Sequence, residues 1–308
     1  MNARNENLDP DVLKIAQNLC DAAMVEASVE MILRNLPNRH AILAGTYQGQ
    51  PAIFRLALSD KARATNAKTW AEITRVGPYM ADGQYRVAQG LKNIDDGMLI
   101  VTEFSDGDPL LPMLKKGGSA NAELLAGWLH KYATPTIEMR KAGVDFWLKQ
   151  ARNASQRQPF SHLKAKEDQI LIEMQSIAAK IRGSHWRVAI THGDYHANNL
   201  LSSDDTVTGI DIGGSAYLPI YKDMARCLVH LARRDAGLES GLVFGVDKSL
   251  TQAFLTIFSL QTEEQRLFLR FFIGFECLIK VERTDAPKWR LKATEALYDG
   301  FLLDTINA

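Results

Sequence analysis

The most constraining feature of the chain is a polar cluster between two apolar runs near residue 200. The cluster begins with His192-Gly193-Asp194 and ends with Asn199, and the apolar runs are residues 188–190 and 207–210. Asp211 directly follows the second run. Short apolar runs bounded by turn-forming residues are typical of buried strands. The pattern therefore predicts two strands. Asp194 and Asn199 would lie between them, and Asp211 would follow the second strand.

The spacing of Asp194, Asn199 and Asp211 indicates a specific chemistry. In the kinase catalytic loop H-R-D-x4-N, the Asp lies near the acceptor hydroxyl, and the Asn five residues later holds a metal ion. A second Asp on the next turn supplies further metal-binding oxygens. Magnesium prefers such oxygen ligands and needs only one or two protein carboxylates, because it also binds substrate phosphates. The three residues are the right chemical types in the right order.

Two other interpretations of the cluster are open. His192-Gly193-Asp194 alone could be a simple turn in which Asp194 caps local amides. The alternating series His192, Asp194, His196 could instead bind zinc or iron in a metal-dependent hydrolase. The additional Asn199 and Asp211 argue against the turn, and the sequence offers no second His and carboxylate cluster to complete a hydrolase site.

Charge balance limits the partners of the chain. The 308 residues include 36 Lys and Arg against 36 Asp and Glu. Proteins that bind nucleic acid or anionic membranes usually have a basic surplus, so neither partner is expected. Three separated cysteines and a polar N-terminal segment without a secretion signal favour a cytoplasmic protein. The sequence does not indicate an oligomeric state.

Changes in hydrophobic period suggest an α+β fold with two parts. Residues 29–36, 40–47 and 52–58 have strand patterns and predict a three-stranded antiparallel meander. Residues 61–80 return to helical spacing, and residues 97–104 form one more strand pattern. Beyond residue 112 the pattern is mainly helical. A domain boundary is expected at the turn-forming residues that follow 104.

The motifs together resemble those of the aminoglycoside phosphotransferase and choline kinase-like superfamily. The matching segments are H-G-D-x4-N at 192–199, Ile210-Asp211, and Asp223-Met224-Ala225 where the family has D-L-A. The resemblance covers about residues 32 to 231. It implies a two-lobed protein-kinase-like fold with a small antiparallel β-sheet N-lobe and a larger, mainly helical C-lobe. Residues 1–104 would be the nucleotide-binding lobe, with a hinge at about 103–108, and residues 105–308 the helical lobe.

The resemblance also implies roles for residues in the C-lobe. Asp194 would be the catalytic aspartate, which orients the acceptor hydroxyl and takes its proton. Asn199 and Asp211 would hold Mg2+. Asp223 would tie the catalytic loop to the helical core. Tyr195 and His196 follow Asp194 closely in the sequence, and we expect one of the two to contact the substrate or the terminal phosphate.

The nucleotide site would lie in the N-lobe. Asn38 belongs to a glycine-free loop, 35–39, at the place where the family has a phosphate-covering loop. Arg55 occupies the third-strand position of the phosphate-binding Lys or Arg, and Glu72 would be its ion-pair partner. Glu103 and Ser105 would hold the adenine through backbone atoms.

The resemblance implies an ATP-dependent kinase, with GTP as an alternative nucleotide. The acceptor would be a hydroxyl of a small molecule such as an amino sugar, sugar, amino alcohol or aminoglycoside-like compound. The glycine-free loop leaves one alternative, a nucleotide-binding pseudokinase or scaffold without phosphotransfer. Acidic residues in the helical part could bind a cationic acceptor, although solvated helix faces explain them more simply; they include Glu138, Asp145, Glu276, Glu282 and Asp285.

Overall fold

The computed structural model describes residues 11–213, 216–234 and 241–306. The described residues fall into two compact units. The first unit belongs to residues 1–108 and 201–215, and the second to residues 109–200 and 216–308. The segment 201–215 thus groups with the N-terminal part of the chain. The division at residues 104 and 105 stays a prediction from sequence.

Helices and strands have the following bounds. Helices α1 to α9 are, in chain order, Asp11–Ala22, Asp60–Val76, Leu110–Ala133, Val144–Ser155, Ser161–Ile181, Ile220–Ala232, Lys248–Ile257, Arg270–Ile279 and Lys288–Ile306. Strands β1 to β14 are Ala27–Leu36, His40–Tyr47, Gln50–Ala57, Tyr85–Val87, Gly90–Ile94, Leu99–Glu103, Asp108–Pro109, Glu138–Lys141, His185–Ile190, Leu200–Ser203, Thr206–Gly209, Tyr217–Pro219, Leu242–Val243 and Val246–Asp247. A π-helical turn at Glu264–Leu269 leads into α8.

The first unit is built on a five-stranded antiparallel sheet with the strand order β1, β2, β3, β6, β5. Helix α1 covers one face of this sheet, because its buried residues Val12, Ala16 and Cys20 recur every four positions. They pack into the same apolar cluster as Leu43 and Phe54 from the sheet. The predicted meander is therefore present and is extended by two further strands.

Helix α2 begins at a capping serine and ends earlier than its sequence pattern predicts. The Ser59 hydroxyl accepts a hydrogen bond from the Ala62 amide at 3.3 Å. The predicted helix 61–80 stops at Val76 because Gly77 and Pro78 follow, and the chain tightens there into a 3₁₀ turn. Gly213 passes so close to α2 that a Cβ atom at this position would overlap Thr69 Oγ1. Only glycine fits this approach.

The second unit is mainly helical. Helix α8 lies in its core, with every residue from Arg270 to Leu278 buried. A three-stranded antiparallel sheet in the order β12, β9, β8 places the end of β9 at Ile190, directly before the polar cluster. The cluster therefore starts at the end of a strand held on both sides.

A stack of aromatic rings supports the loop that follows β9. Trp128 of α3 is fully buried, and its ring lies parallel to that of Tyr195 at a centroid distance of 5.7 Å. Tyr132 stacks with Trp128 at 5.2 Å, and the His192 ring meets Trp128 edge-on at 5.9 Å. The Tyr195 hydroxyl donates a 2.6 Å hydrogen bond to the Leu125 carbonyl. Residues 192 and 195 are thus held by α3. Tyr195 is buried in this stack, so of the two candidate substrate contacts only His196 remains.

The architecture confirms the predicted α+β class, with an antiparallel sheet in the N-terminal region and mainly helices in the rest. No helix within the described ranges combines the length and the apolar character that crossing a membrane requires.

Replacing Trp128 should destabilise the protein, because the rings of Tyr132 and Tyr195 stack on it. We expect Trp128→Ala to lower the free energy of unfolding by about 3–5 kcal/mol, because it removes a large ring from a filled core. Urea unfolding followed by tryptophan fluorescence and far-UV circular dichroism measures this change. Ile172→Ala, at a position that is 66% exposed, is the control and should change the value by less than about 0.5 kcal/mol. Equal effects of the two substitutions would contradict the role of the stack.

Candidate active site

The backbone of the loop after β9 is held by one buried carboxylate. Asp223 of α6 accepts hydrogen bonds from the backbone amides of His192, at 2.7 Å, and Gly193, at 3.1 Å. Burial raises the pKa of Asp223, whereas these two donors favour its ionised form. Asp223 therefore ties the loop to the helical core, as the sequence predicts.

The Asp194 carboxylate lies at the centre of a charged network. Arg226 donates to the same oxygen, Asp194 Oδ1, from Nε at 3.0 Å and from Nη2 at 2.7 Å. His196 Nε2 lies 3.6 Å from the other oxygen, Oδ2. The contact with His196 and the Arg226 guanidinium together hold the pKa of Asp194 well below its ordinary value, although burial opposes them. Asp194 is therefore ionised throughout the neutral range, and 58% of its side chain is exposed for contact with a substrate.

A buried glutamate in turn positions Arg226. Glu276 of α8 is 2% exposed, and its Oε2 lies 3.7 Å from Arg226 Nη1. Its other oxygen lies 3.7 Å from Lys222 Nζ. Burial raises the pKa of Glu276, while the neighbouring Lys222 and Arg226 lower it. The arrangement is a chain of alternating charges from α8 through α6 to the loop that follows β9.

Asn199 is the last residue of a single 3₁₀ turn, Ala197–Asn199, and its side chain contacts the backbone of Asp194. Its Nδ2 donates to the Asp194 carbonyl at 3.0 Å. This bond uses the nitrogen of the amide, so the Oδ1 atom is the group that Asn199 can offer to a metal ion. The structure brings these two predicted residues together in the second unit.

In the first unit the structure pairs Arg55 with Asp211. Arg55 Nη1 lies 2.7 Å from Asp211 Oδ1. Asp211 follows β11, adopts a left-handed backbone with φ of 56°, and exposes 61% of its side chain. His40 interacts electrostatically with both side chains. Burial and Arg55 lower the pKa of His40, and Asp211 opposes them.

The predicted ion pair between Arg55 and Glu72 is wrong. Glu72 is buried on α2 and pairs with Arg75, whose Nε lies 2.9 Å from Glu72 Oε2. Arg75 is three residues away on the same helix, so the two side chains are neighbours without any contribution from the sheet. Arg55 is directed to Asp211 instead.

Asn38 explains how the predicted phosphate loop turns without glycine. It lies between β1 and β2 with a φ of 59°, in the left-handed region, and the Arg39 amide closes the turn by donating to the Leu36 carbonyl at 3.0 Å. Asparagine tolerates this conformation better than most residues. The loop therefore has the backbone geometry that glycine would otherwise supply.

The predicted hinge residues follow β6 or end it. The Glu103 amide donates to the Gln89 carbonyl at 2.9 Å, so Glu103 could offer a nucleotide only its carbonyl. The Phe104 amide donates to the Pro51 carbonyl at 3.2 Å. The Ser105 hydroxyl oxygen is buried and has no hydrogen-bond partner in the protein.

The residue types present fit a magnesium ion. Asp211 and Asn199 both offer oxygen atoms, the ligands that Mg2+ prefers, and Arg55 engages only one oxygen of the Asp211 carboxylate. Among the described residues there is no group of three or more His, Cys, Asp or Glu side chains that could hold a metal ion. His192, Asp194 and His196 therefore do not form the zinc or iron site that their alternation would allow.

The charged network around Asp194 is not among the features predicted from the sequence. Arg226 follows the predicted D-x-A motif directly, and Lys222 stands four residues before it, so the helical spacing of the two was visible. A solvated helix face is the simpler prediction for Glu276, yet the residue lies in the apolar stretch 267–281 and is buried. A single acid in such a stretch is a signal of a buried ion pair, because an unpaired buried charge is strongly unfavourable.

Shortening the side chain at position 226 should raise the pKa of Asp194. Lysine keeps the charge that Glu276 requires, but it cannot donate two bonds to one carboxylate oxygen. We expect the pKa of Asp194 in Arg226→Lys to move up towards its ordinary value. Carboxyl carbon NMR titration measures this pKa, with the signal assigned through Asp194→Asn. Arg152→Lys, on an exposed part of α4, is the control; an unchanged Asp194 titration in Arg226→Lys would contradict the assignment.

The part of the chain that carries this site is similar to a known family of proteins. Residues 101–247 match the family model described as the phosphotransferase enzyme family, APH. This range includes Asp194, Asn199, Asp211 and Asp223. No curated protein matches the chain in sequence.

Several solved structures are similar to the chain over nearly its whole length. Aminoglycoside phosphotransferase APH(4)-Ia is 13% identical with a TM-score of 0.59, and the match covers 94% of this chain and 99% of that one. A glucosamine kinase in complex with glucosamine, ADP and inorganic phosphate is 14% identical with a TM-score of 0.59, covering 96% and 84%. Choline kinase LicA from Streptococcus pneumoniae is 12% identical with a TM-score of 0.58, covering 94% and 99%. The chain is thus similar to the aminoglycoside phosphotransferase and choline kinase-like superfamily and has its protein-kinase-like fold, which confirms the resemblance found in the sequence.

Proposed function

We propose that the protein is an ATP-dependent phosphotransferase that transfers the γ-phosphoryl group to a hydroxyl of a small molecule. The observation that carries this proposal is the Asp194 carboxylate, which is kept ionised and fixed by Arg226 and His196 on a loop tied down by Asp223. The match of residues 101–247 to a phosphotransferase family supports this class of enzyme.

Asp194 would hydrogen-bond to the acceptor hydroxyl and point its oxygen at the γ-phosphorus. During transfer the bond between the acceptor oxygen and phosphorus forms, the bond from the γ-phosphorus to the bridging oxygen breaks, and ADP leaves. The hydroxyl proton moves to Asp194. A carboxylate with a lowered pKa is a weak base, so its main contribution would be orientation. Phosphoryl transfer with a loose transition state does not require early proton removal.

Asn199 and Asp211 would hold Mg2+ through their side-chain oxygens. When bound, this ion supplies electrostatic neutralisation of the phosphate oxygens. Asn199 is suited to the task because its nitrogen is already used by the Asp194 carbonyl, which directs the choice of donor atom. Asp211 keeps one oxygen that Arg55 does not engage.

Arg55, Asn38 and the residues at the end of β6 would bind the nucleotide. A guanidinium can engage phosphate oxygens through two parallel bonds, and Arg55 lies mostly buried with one nitrogen on Asp211. The turn at Asn38 can direct backbone amides at phosphate. The Glu103 carbonyl and the backbone of Ser105 would contact the adenine. Glu72 is not part of this proposal, since it pairs with Arg75.

The alternative function is a nucleotide-binding scaffold without phosphotransfer. The sequence feature that suggests this alternative is the absence of glycine from the loop 35–39. Because Asn38 adopts the left-handed conformation that glycine usually supplies, this reason is weakened. Measurement of both nucleotide binding and phosphotransfer separates the two functions.

Asp194→Asn should abolish turnover and preserve nucleotide binding. The amide keeps the size of the side chain but loses the charge that accepts the proton and pairs with Arg226, so we expect kcat to fall by about 10²-fold or more. Acceptor-dependent ADP release across a panel of hydroxyl compounds measures the loss. Thermal shift with ATP, in the presence and absence of magnesium, measures binding.

Asp205→Asn is the matched control, because Asp205 is exposed, and it should keep wild-type turnover. Full activity of Asp194→Asn would refute the catalytic role. Magnesium-dependent stabilisation by ATP without transfer to any acceptor would favour the scaffold.

A further inference from the structure

Helix α6 directs three residues of one face at the loop that follows β9. Asp223, Arg226 and His230 are three and four positions apart, so their side chains lie on one side of the helix. Asp223 accepts hydrogen bonds from the backbone of the loop, and Arg226 contacts the Asp194 carboxylate at 2.7 Å. The third residue, His230, contacts the ring of His196. His230 belongs to none of the sequence motifs from which the site is predicted.

The rings of His196 and His230 pack against each other. Their centroids are 4.1 Å apart, and the ring planes are inclined by 37°. Both residues are largely enclosed, since 12% of the His196 side chain and 8% of His230 are exposed. Burial and the neighbouring His196 lower the pKa of His230 to about 2, so the His230 ring is neutral near pH 7. The contact therefore restricts rotation of the His196 ring without placing a positive charge against it.

The two ring nitrogens of His196 have different surroundings. Nε2 lies 3.6 Å from Asp194 Oδ2. Nδ1 is buried, and among the described residues it has no hydrogen-bond partner. A neutral imidazole carries one N–H group, and its neighbours decide which nitrogen holds the proton. A proton on Nδ1 would leave a buried donor unsatisfied and direct the Nε2 lone pair at a negative oxygen, and both are unfavourable. The surroundings thus favour the proton on Nε2.

His196 and Arg226 meet different oxygens of Asp194. Both bonds from Arg226 end on Oδ1, whereas Nε2 of His196 faces Oδ2. The terminal torsion of an aspartate side chain has only a broad preference, so contacts to both oxygens narrow its range more than contacts to one. A separation of 3.6 Å is longer than a hydrogen bond. Contacts of this kind in active sites often shorten when the substrate is bound.

We propose that His230 is a positioning residue, which holds the His196 ring so that its Nε2–H group is directed at Asp194 Oδ2 and fixes the carboxylate that orients the acceptor hydroxyl. The proposal rests on the phosphotransferase function proposed above and adds a residue to its site. Because Nε2 already carries a proton and Nδ1 is buried, His196 is not the base. The hydroxyl proton moves to Asp194.

NMR of the histidine ring nitrogens tests the position of the proton in the absence of any substrate. Long-range proton–nitrogen correlation spectra separate protonated from bare ring nitrogens, and His196→Gln and His230→Leu assign the signals. At neutral pH we expect a protonated Nε2 and a bare Nδ1 in His196. In His230→Leu we expect the two nitrogens to approach average values, because the ring loses the contact that restricts it. A proton on Nδ1 in the wild-type protein overturns the proposal.

Glutamine and asparagine at position 196 place an amide donor at different ring positions. The glutamine amide reaches the place of Nε2, and the asparagine amide reaches only that of Nδ1. We expect kcat of His196→Asn to be about tenfold or more below that of His196→Gln, with the same KM for ATP in both. Acceptor-dependent ADP release measures these constants. His162→Gln, at an exposed position of α5, is the control and should match the wild type. Equal kcat values of the two variants contradict the Nε2 donor.

Variants at position 230 separate the ring contact from general damage. His230→Leu fills much of the volume without a flat ring, and His230→Phe keeps a flat ring without nitrogen. We expect His230→Leu to lower kcat by about 10- to 100-fold with KM for ATP unchanged, and His230→Phe to recover most of the loss. Thermal unfolding of each variant checks stability. His230→Gln, whose flat amide is smaller, replaces His230→Phe if the phenyl ring does not fit.

The outcomes distinguish this proposal from the one it rests on. If the wild-type protein phosphorylates an acceptor and His230→Leu has the same kcat as His230→Phe, the phosphotransferase function is supported and the role of His230 is overturned. If no compound is phosphorylated, the phosphotransferase function is contradicted. The NMR spectra still decide the position of the proton and the effect of His230 on it, since they require no turnover.

Discussion

The loop that follows β9 depends on the buried carboxylate of Asp223. A carboxylate in a protein interior is unfavourable unless hydrogen bonds compensate for its lost hydration, and here two backbone amides of the loop, those of His192 and Gly193, supply them. These hydrogen bonds fix the start of the loop at residues 192 and 193. Arg226 lies one turn further along the same helix and holds the Asp194 side chain. A single helix thus fixes the backbone of the loop through one residue and its functional side chain through another.

The same network sets the chemical character of Asp194. Each added donor stabilises the carboxylate and weakens it as a base, so a tightly held aspartate is a good guide for a hydroxyl and a poor proton acceptor. A carboxylate that orients the hydroxyl but binds its proton weakly suits a reaction in which the hydroxyl proton leaves late. The buried Glu276 completes the arrangement, because without it the Arg226 guanidinium would have Asp194 as its main counter-charge. Positioning in this site is therefore an electrostatic property of the packing between α6 and α8.

What could be predicted from the sequence follows from distance along the chain. The strands and the grouping of Asp194 with Asn199 depend on local patterns, and the Asp223 tie follows from a short motif. The partner of Arg55 could not be predicted, because Asp211 lies 156 residues later and competes with an acid on α2. Helix α2 ends about one turn before the end of its apolar pattern, because Pro78 cannot continue the helix. The apolar stretch around Glu276 indicates that this acid is buried, but its partners Lys222 and Arg226 lie about 50 residues earlier, and no local pattern identifies them.

Net charge constrains large partners and small ones differently. A nucleic acid or a membrane averages over much of a protein surface, so the balance of 36 basic and 36 acidic residues weighs against both. A small acceptor senses only the groups within about one Debye length, roughly 8 Å at physiological salt. Around Asp194 the charges are paired: Arg226 lies 2.7 Å from the Asp194 carboxylate, and Glu276 lies 3.7 Å from both Arg226 and Lys222. The charge balance of the whole chain is thus repeated at this site, and a small acceptor meets an Asp194 carboxylate whose counter-charge the protein already supplies through Arg226.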